Sequence, residues 1–386
     1  MNVVFLSPHF PPNWFNFAVR LRQAGATVLG IADAPWEALR PELRDALNDY
    51  YWLDDLNRYP DLVRALGWFT HRHGKLDRLD SLNEHWLETE ARLRTDFNIR
   101  GIGLRDIARI RRKSRMKRIF QRAGLPVARG KVCRTPRQLR ALIGEVGFPV
   151  VAKPDAGVGA ARTYKLESDA DVEGYLHEKL AVDYIVEEFV AGDLLTYDGL
   201  VDRSGEVVFG SSFFYSTGVM DSVNLGTDIY YVITRSVPPD VEAAGRAIVR
   251  AFNVRERPFH FEFFRLPDGS LVPLEVNMRP PGGLTVDMFN YANDIDFYRE
   301  WANVVVHGTF EADVTRSYHC GYASRKNGRA YRLSHNAVVE RFGDLICHHE
   351  PMSGVFASAI GDYGYIMRHP ELDPIVYACQ AIQETV

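Results

Sequence analysis

The stretch His260-Phe-Glu-Phe-Phe-Arg-Leu-Pro-Asp-Gly-Ser-Leu-Val-Pro-Leu-Glu-Val-Asn-Met-Arg279 alternates apolar and polar residues on both sides of Asp268-Gly269. Asp-Gly between alternating runs favours a β-hairpin closed by a two-residue type I′ loop, and that loop sets the register. The register places Glu262 opposite Glu275. Successive side chains take opposite faces of a strand. Phe261, Phe263, Leu274, Val276 and Met278 therefore share one face, and His260, Glu262, Glu275, Asn277 and Arg279 the other. Opposed carboxylates repel by about 0.2–1 kcal/mol when exposed, and by more where water is excluded. A divalent cation removes that cost, and oxygen-only ligands of the Glu, Glu, Asn type suit a hard ion such as Mg²⁺. A hairpin with one solvated face explains the alternation equally well, so the pattern leaves both readings open.

With 386 residues the chain fits two or three domains. Its 46% hydrophobic and 25% charged residues are those of a folded globular protein. A net charge of −4 supplies no general attraction to nucleic acid or an anionic membrane, and no apolar run reaches spanning length. The first residues lack a basic segment followed by a small-residue cleavage site, so the expected location is the cytoplasm. Cys133, Cys320, Cys347 and Cys379 are widely spaced and match no metal-binding pattern, which predicts free thiols.

Residues 1 to 34 read as strand, turn-rich loop, helix and strand, the opening of a doubly wound parallel sheet. No G-x-G-x-x-G follows the first strand, which argues against a dinucleotide there. Ligands of open α/β sheets collect beyond the carboxyl ends of strands. The loop His9 to Trp14 and the pair Asn83, Glu84 after a predicted strand at 76–82 are thus candidates for a substrate crevice, with Asn83 equally suited to capping a helix. Arg109 to Arg118 is strongly basic, and on one helix its side chains point all round the axis. No aromatic residue is interleaved there as a platform for bases.

Phe148 to Pro154 predicts a strand, Asp155-Ala-Gly-Val-Gly-Ala160 a small-residue loop, and Arg162 to Leu166 the returning strand. Without Cβ atoms at Gly157 and Gly159, backbone N–H groups can approach phosphate oxygens. The loop lies between strands and is no Walker A motif; it fits a flap, with Lys153 as a nearby point charge. Strands are also predicted at 184–190, 194–201 and 206–213, and helices at 168–179, 238–252 and 373–384.

The order of these parts resembles the ATP-grasp superfamily over roughly residues 1 to 310. The series runs from Lys113, Leu125-Pro126 and Phe148 to Lys153 with its glycine loop, through Val186-Glu-Glu-Phe-Val190 and Phe261-Glu262-Phe263, to Leu274-Glu-Val-Asn277 with Arg279. The resemblance implies a mixed α/β and α+β architecture. An N-terminal Rossmann-like domain (1–108) precedes an ATP-grasp domain (109–310) containing a lid at about 127–190, and a C-terminal region (311–386) completes a large antiparallel-sheet domain. It also implies that Lys113 and Lys153 contact phosphates, with Gly157 and Gly159 in the flap. Glu187, Glu188 and Val190 would line the adenine, Glu262, Glu275 and Asn277 would hold Mg²⁺, and Arg279 would face the transferred phosphoryl group.

The implied chemistry is ATP-dependent activation of a carboxylate, of an amino acid in the first instance, as an acyl phosphate that an amine then captures. ADP and phosphate are released. Two Mg²⁺ ions are expected, with Mn²⁺ as a substitute. A carboxylase-like or carboxylate–thiol reaction and a non-catalytic ATP-binding module are the alternatives. Glu84, Asp198, Ser216, Gly282 and Gly283 are candidate substrate contacts. The expected partners are small-molecule carboxylates and amines, with no nucleic acid and no membrane, and homodimers are common in proteins of this kind.

Overall fold

Val3, Val4, Phe5 and Leu6 are all fully buried, because the strand they form lies in a sheet with apolar side chains packed on both faces. The computed structural model describes residues 1–157, 162–216, 226–352 and 354–386. Its first sheet is parallel, built from β1 (Asn2–Leu6), β2 (Thr27–Ala32), β3 (Asp49–Trp52) and β4 (Arg78–Asp80) in the order β3-β2-β1-β4. Asn83 follows β4, and its side-chain oxygen accepts from the His85 N–H at the start of a short 3-10 turn, Glu84–Trp86.

The second sheet is antiparallel, with β5 (Gly130–Val132), β6 (Val150–Pro154), β7 (Tyr164–Leu166) and β8 (Tyr184–Glu188) in the order β5-β8-β6-β7. Two helices cover it. One starts behind Thr135, whose side chain caps Gln138, and the other behind Ser168, which caps Asp171.

The third sheet has nine strands, antiparallel at every pairing. Its strands are β9 (Asp193–Val201), β10 (Val207–Ser211), β11 (Phe213–Tyr215), β12 (Tyr230–Ile233), β13 (Arg257–Arg265), β14 (Leu271–Asn277), β15 (His319–Arg325), β16 (Ile346–Pro351) and β17 (Tyr363–His369). The predicted strand at 206–213 is thus two strands. β15 pairs with β12, so the last part of the chain continues the same sheet. Helix Pro239–Phe252 packs so closely on β9 that a Cβ at Gly245 would stand 1.9 Å from Cδ1 of Tyr197.

The basic segment departs from the single predicted helix. Arg112 is extended (φ −103°, ψ 114°), and it separates helix Leu104–Arg111 from helix Lys113–Arg122. All four cysteines are free. Among the described residues no helix is long and apolar enough to cross a membrane.

Candidate functional site

Strands β13 and β14 carry the polar face, with His260 opposite Asn277 and Glu262 opposite Glu275. The loop closing them differs from expectation. Arg265 pairs with Leu271, Leu266 and Ser270 are bonded through the backbone, and Gly269 has φ +85°. The loop therefore holds three residues, Pro267 to Gly269, with glycine in the left-handed position that such loops favour. This shifts the register by one residue, and an irregularity at Leu274 shifts it back before Glu275. Phe261, Phe263, Val276 and Met278 enter the core as expected, whereas Leu274 is only half-buried.

Three cations from one short segment converge on this region. Lys113 Nζ lies 3.0 Å from Glu275 Oε2 and 3.5 Å from the Gly157 carbonyl oxygen. Arg111 Nη1 lies 2.7 Å from Glu84 Oε1. Lys117 Nζ lies 2.7 Å from Glu187 Oε1 and donates to the Ala128 carbonyl. Lys113 and Lys117 are four positions apart, hence on one face of the helix, and both are buried. Asp155 anchors the helix start, its backbone carbonyl accepting from Lys113 N–H and its carboxylate from Ser114 N–H.

From the second sheet, Lys153 Nζ lies 2.9 Å from Glu187 Oε2, so Glu187 bridges two buried lysines. Burial and the neighbouring Lys113 push the Lys153 ammonium down to about 8, against the opposing pull of Glu275 and Glu262. Burial also works to raise Glu275, but Lys113, Lys153 and Arg279 outweigh it and hold that carboxyl below its ordinary value. Glu188 pairs with Arg129 at 2.6 Å, and its own N–H donates to the Arg129 carbonyl, which leaves that amide engaged. Val190 follows, half-buried. Gly159 lies outside the described residues.

On the polar face, His260 Nδ1 lies 2.6 Å from Asp198 Oδ1 and Nε2 lies 3.2 Å from Glu262 Oε1. Thr196 also bonds Asp198, which is fully buried. Asp198 stands directly opposite His260 on the neighbouring strand β9, on the same face of the sheet, and acts on Glu262 through His260. Phe213 stacks on the imidazole. Burial disfavours a charged imidazole, yet Asp198 and Glu262 outweigh it and raise His260 to about 9.

The unfolded histidine titrates near 6.5 and the folded one near 9. Its contribution to stability is complete below the lower value and is lost as pH rises through the upper one. Between pH 7 and pH 10 the wild type is expected to lose on the order of 2 kcal/mol more unfolding free energy than His260→Gln. Equal losses in parallel urea titrations would contradict a charged His260.

Arg279 and Glu84 meet from different sheets. Arg279 Nη1 donates to the Pro280 carbonyl, and its Nε lies 3.7 Å from Glu84 Oε2. That oxygen is buried and accepts no hydrogen bond from the described residues. Gly283 is buried at φ +63°, and a Cβ there would stand 2.5 Å from Ile360 Cδ1. Its carbonyl accepts from Asn13, which also donates to Asp287, so the loop after β1 is tied to the turn after Arg279. Gly282 is exposed and its carbonyl accepts from Thr285. Ser216, at the far end of β11, is exposed and bonded to Tyr230.

The donor set fits a hard cation. Glu262, Glu275 and Asn277 offer oxygen atoms on adjacent rungs, and no described residue hydrogen-bonds the Asn277 carboxamide. Lys117, Arg111 and His260 are the members to which the sequence pattern alone assigns no role. Lys117 sits at a helical i+4 spacing from Lys113, a signal hidden inside a run of like charges.

Residues 146–287 match the family model of the ATP-grasp domain. An L-arginine-specific L-amino acid ligase of Bacillus subtilis is 24% identical over 245 residues, which are 61% of this chain and 59% of that protein. The chain thus spans a little over half the length of that relative. An L-amino acid ligase structure from Bacillus licheniformis superposes with a TM-score of 0.75 at 16% identity, covering 99% of this chain and 96% of the other. An N5-carboxyaminoimidazole synthetase from Staphylococcus aureus, complexed with ADP, superposes with a TM-score of 0.74 at 13% identity, covering 99% and 97%.

Proposed function

We propose that this chain, which belongs to the ATP-grasp superfamily, is an ADP-forming carboxylate–amine ligase whose carboxylate substrate is an amino acid. The observation carrying this reading is the polar face of β13 and β14. Two carboxylates and a carboxamide occupy adjacent rungs there, with Lys113 at 3.0 Å from one of them.

In this reading Lys113 and Lys153 hold the phosphates of ATP, with Gly157 in the flap over them. Glu187, Glu188 and Val190 border the base. Glu262, Glu275 and Asn277 hold Mg²⁺, which would neutralise oxygen charge on the phosphates when bound. A substrate carboxylate oxygen forms a bond to the γ-phosphorus as the bond to the ADP oxygen breaks. Arg279 faces the transferring group. Glu84, whose second oxygen is buried and accepts no hydrogen bond from the described residues, receives the ammonium of the amino acid. The amine of a second substrate then attacks the acyl carbon, phosphate leaves, and the amine proton passes to solvent or phosphate.

Catalysis of this kind rests on positioning and on neutralising oxygen charge. The test is ADP release across amino acids taken in pairs with Mg²⁺, the wild type being compared with Glu275→Gln. Turnover with at least one pair, reduced about 100- to 1,000-fold in the variant, is expected. Wild-type rates in Glu275→Gln would dispose of the metal assignment, and ADP release independent of any amino acid would dispose of the substrate class.

A further inference from the structure

We infer that a groove between helix Lys113–Arg122 and the free edge of β5 is a second ligand site, one that takes a small molecule bearing two or more phosphate groups. The cavity measures about 560 Å³, within the range of small-molecule sites. Arg115 and Arg118 face it from the helix, Arg129, Lys131 and Arg134 from the strand side, and Lys117 closes the floor. Asp155 is the only carboxylate among its lining residues. None of Lys113, Lys153, Glu262, Glu275, Asn277 or Arg279 lines it, so it is separate from the face described above.

Most of these cations are balanced within the protein. Arg129 pairs with Glu188, Lys131 with Glu145, Arg134 with Asp183 and Lys117 with Glu187. Arg115 and Arg118 have no acidic partner among the described residues, and three positions apart they lie on one helix face. Both are exposed and line one cavity, where two guanidiniums without an acidic partner among the described residues match phosphate oxygens, which guanidinium binds through paired hydrogen bonds. The overall charge of −4 makes this a local feature. No aromatic side chain lines the cavity, so it offers no platform for stacked bases and a nucleic acid is the poorer match. A ligand here touches the helix that presents Lys113, which gives it purchase on the nucleotide site.

Equilibrium dialysis of the full chain, saturated with a non-hydrolysable ATP analogue and Mg²⁺, tests this with labelled inorganic pyrophosphate at physiological salt. One equivalent of pyrophosphate is expected beside the analogue. Arg115→Glu/Arg118→Glu should weaken it at least about tenfold while analogue affinity stays unchanged. The neutral pair Arg115→Gln/Arg118→Gln, with thermal unfolding as a check, guards against misfolding and should also weaken binding. No pyrophosphate bound once the analogue saturates, or wild-type pyrophosphate affinity in both variants, overturns the proposal. Because analogue binding is read separately, failure here is distinguishable from failure of the ligase reading.

Discussion

Arg279→Ala is expected to lower the rate of amino-acid-dependent ADP release by about 10³–10⁵-fold, the range by which an arginine facing a transferring phosphoryl group accelerates that step. The affinity for ATP should change little, because Lys113 and Lys153 remain. The fold should hold as well. Glu84 keeps its contact with Arg111 at 2.7 Å, and Arg279 gives up a 3.7 Å ion pair with Glu84 and a hydrogen bond to the neighbouring Pro280 carbonyl. Arg279→Lys retains a charge without the planar fork and should fall between the two. Single-turnover rates under saturating ATP measure this directly, and a loss smaller than about tenfold would place the phosphoryl-facing cation elsewhere.

Glu187→Gln is expected to be the most destabilising single change in the site. The carboxylate lies 2.7 Å from Lys117 and 2.9 Å from Lys153, and all three side chains are buried. Removing one partner of a buried pair typically costs about 3–5 kcal/mol, because the remaining charge stays uncompensated. Here burial already pushes both lysines down, Lys117 to about 7 and Lys153 to about 8, so without Glu187 they give up a proton or stay uncompensated. The double variant Glu187→Gln/Lys117→Met removes one of them and should recover part of the loss. Urea unfolding of the three proteins measures the difference, and a single variant as stable as the wild type would show that the lysines find other partners.

The face assignment of His260, Glu262, Glu275, Asn277 and Arg279 was legible because strand alternation has a period of two and leaves little freedom. The loop was not. Asp268-Gly269 pointed to two residues, but Pro267 joins the turn, and the compensating extra residue at Leu274 has no sequence mark. The roles of Lys117 and Arg111 stayed hidden for a different reason. In a run where nearly every residue is cationic, charge alone does not say which side chains turn inward. That depends on the break at Arg112, and Arg112 resembles its neighbours. Asp198 shows a third obstacle, since its burial behind His260 arises from pairing between β9 and β13, strands more than fifty residues apart. The opening strand–helix–strand unit and the helix behind Ser168 were legible from local chemistry, whereas no helix was predicted behind Thr135.

The segment Arg111 to Lys117 sends one cation to each of the three sheets: Arg111 to Glu84 beyond β4, Lys113 to Glu275 on β14, and Lys117 to Glu187 on β8. The acids at those places already possess internal counterions. In the ligase reading an arriving polyphosphate would exchange partners, drawing Lys153 from Glu187 and Lys113 from Glu275, and an incoming metal ion would take the place of Lys113 at Glu275. Anion without metal, or metal without anion, would strand unmatched charge. The two should consequently enter together, each raising the other's affinity.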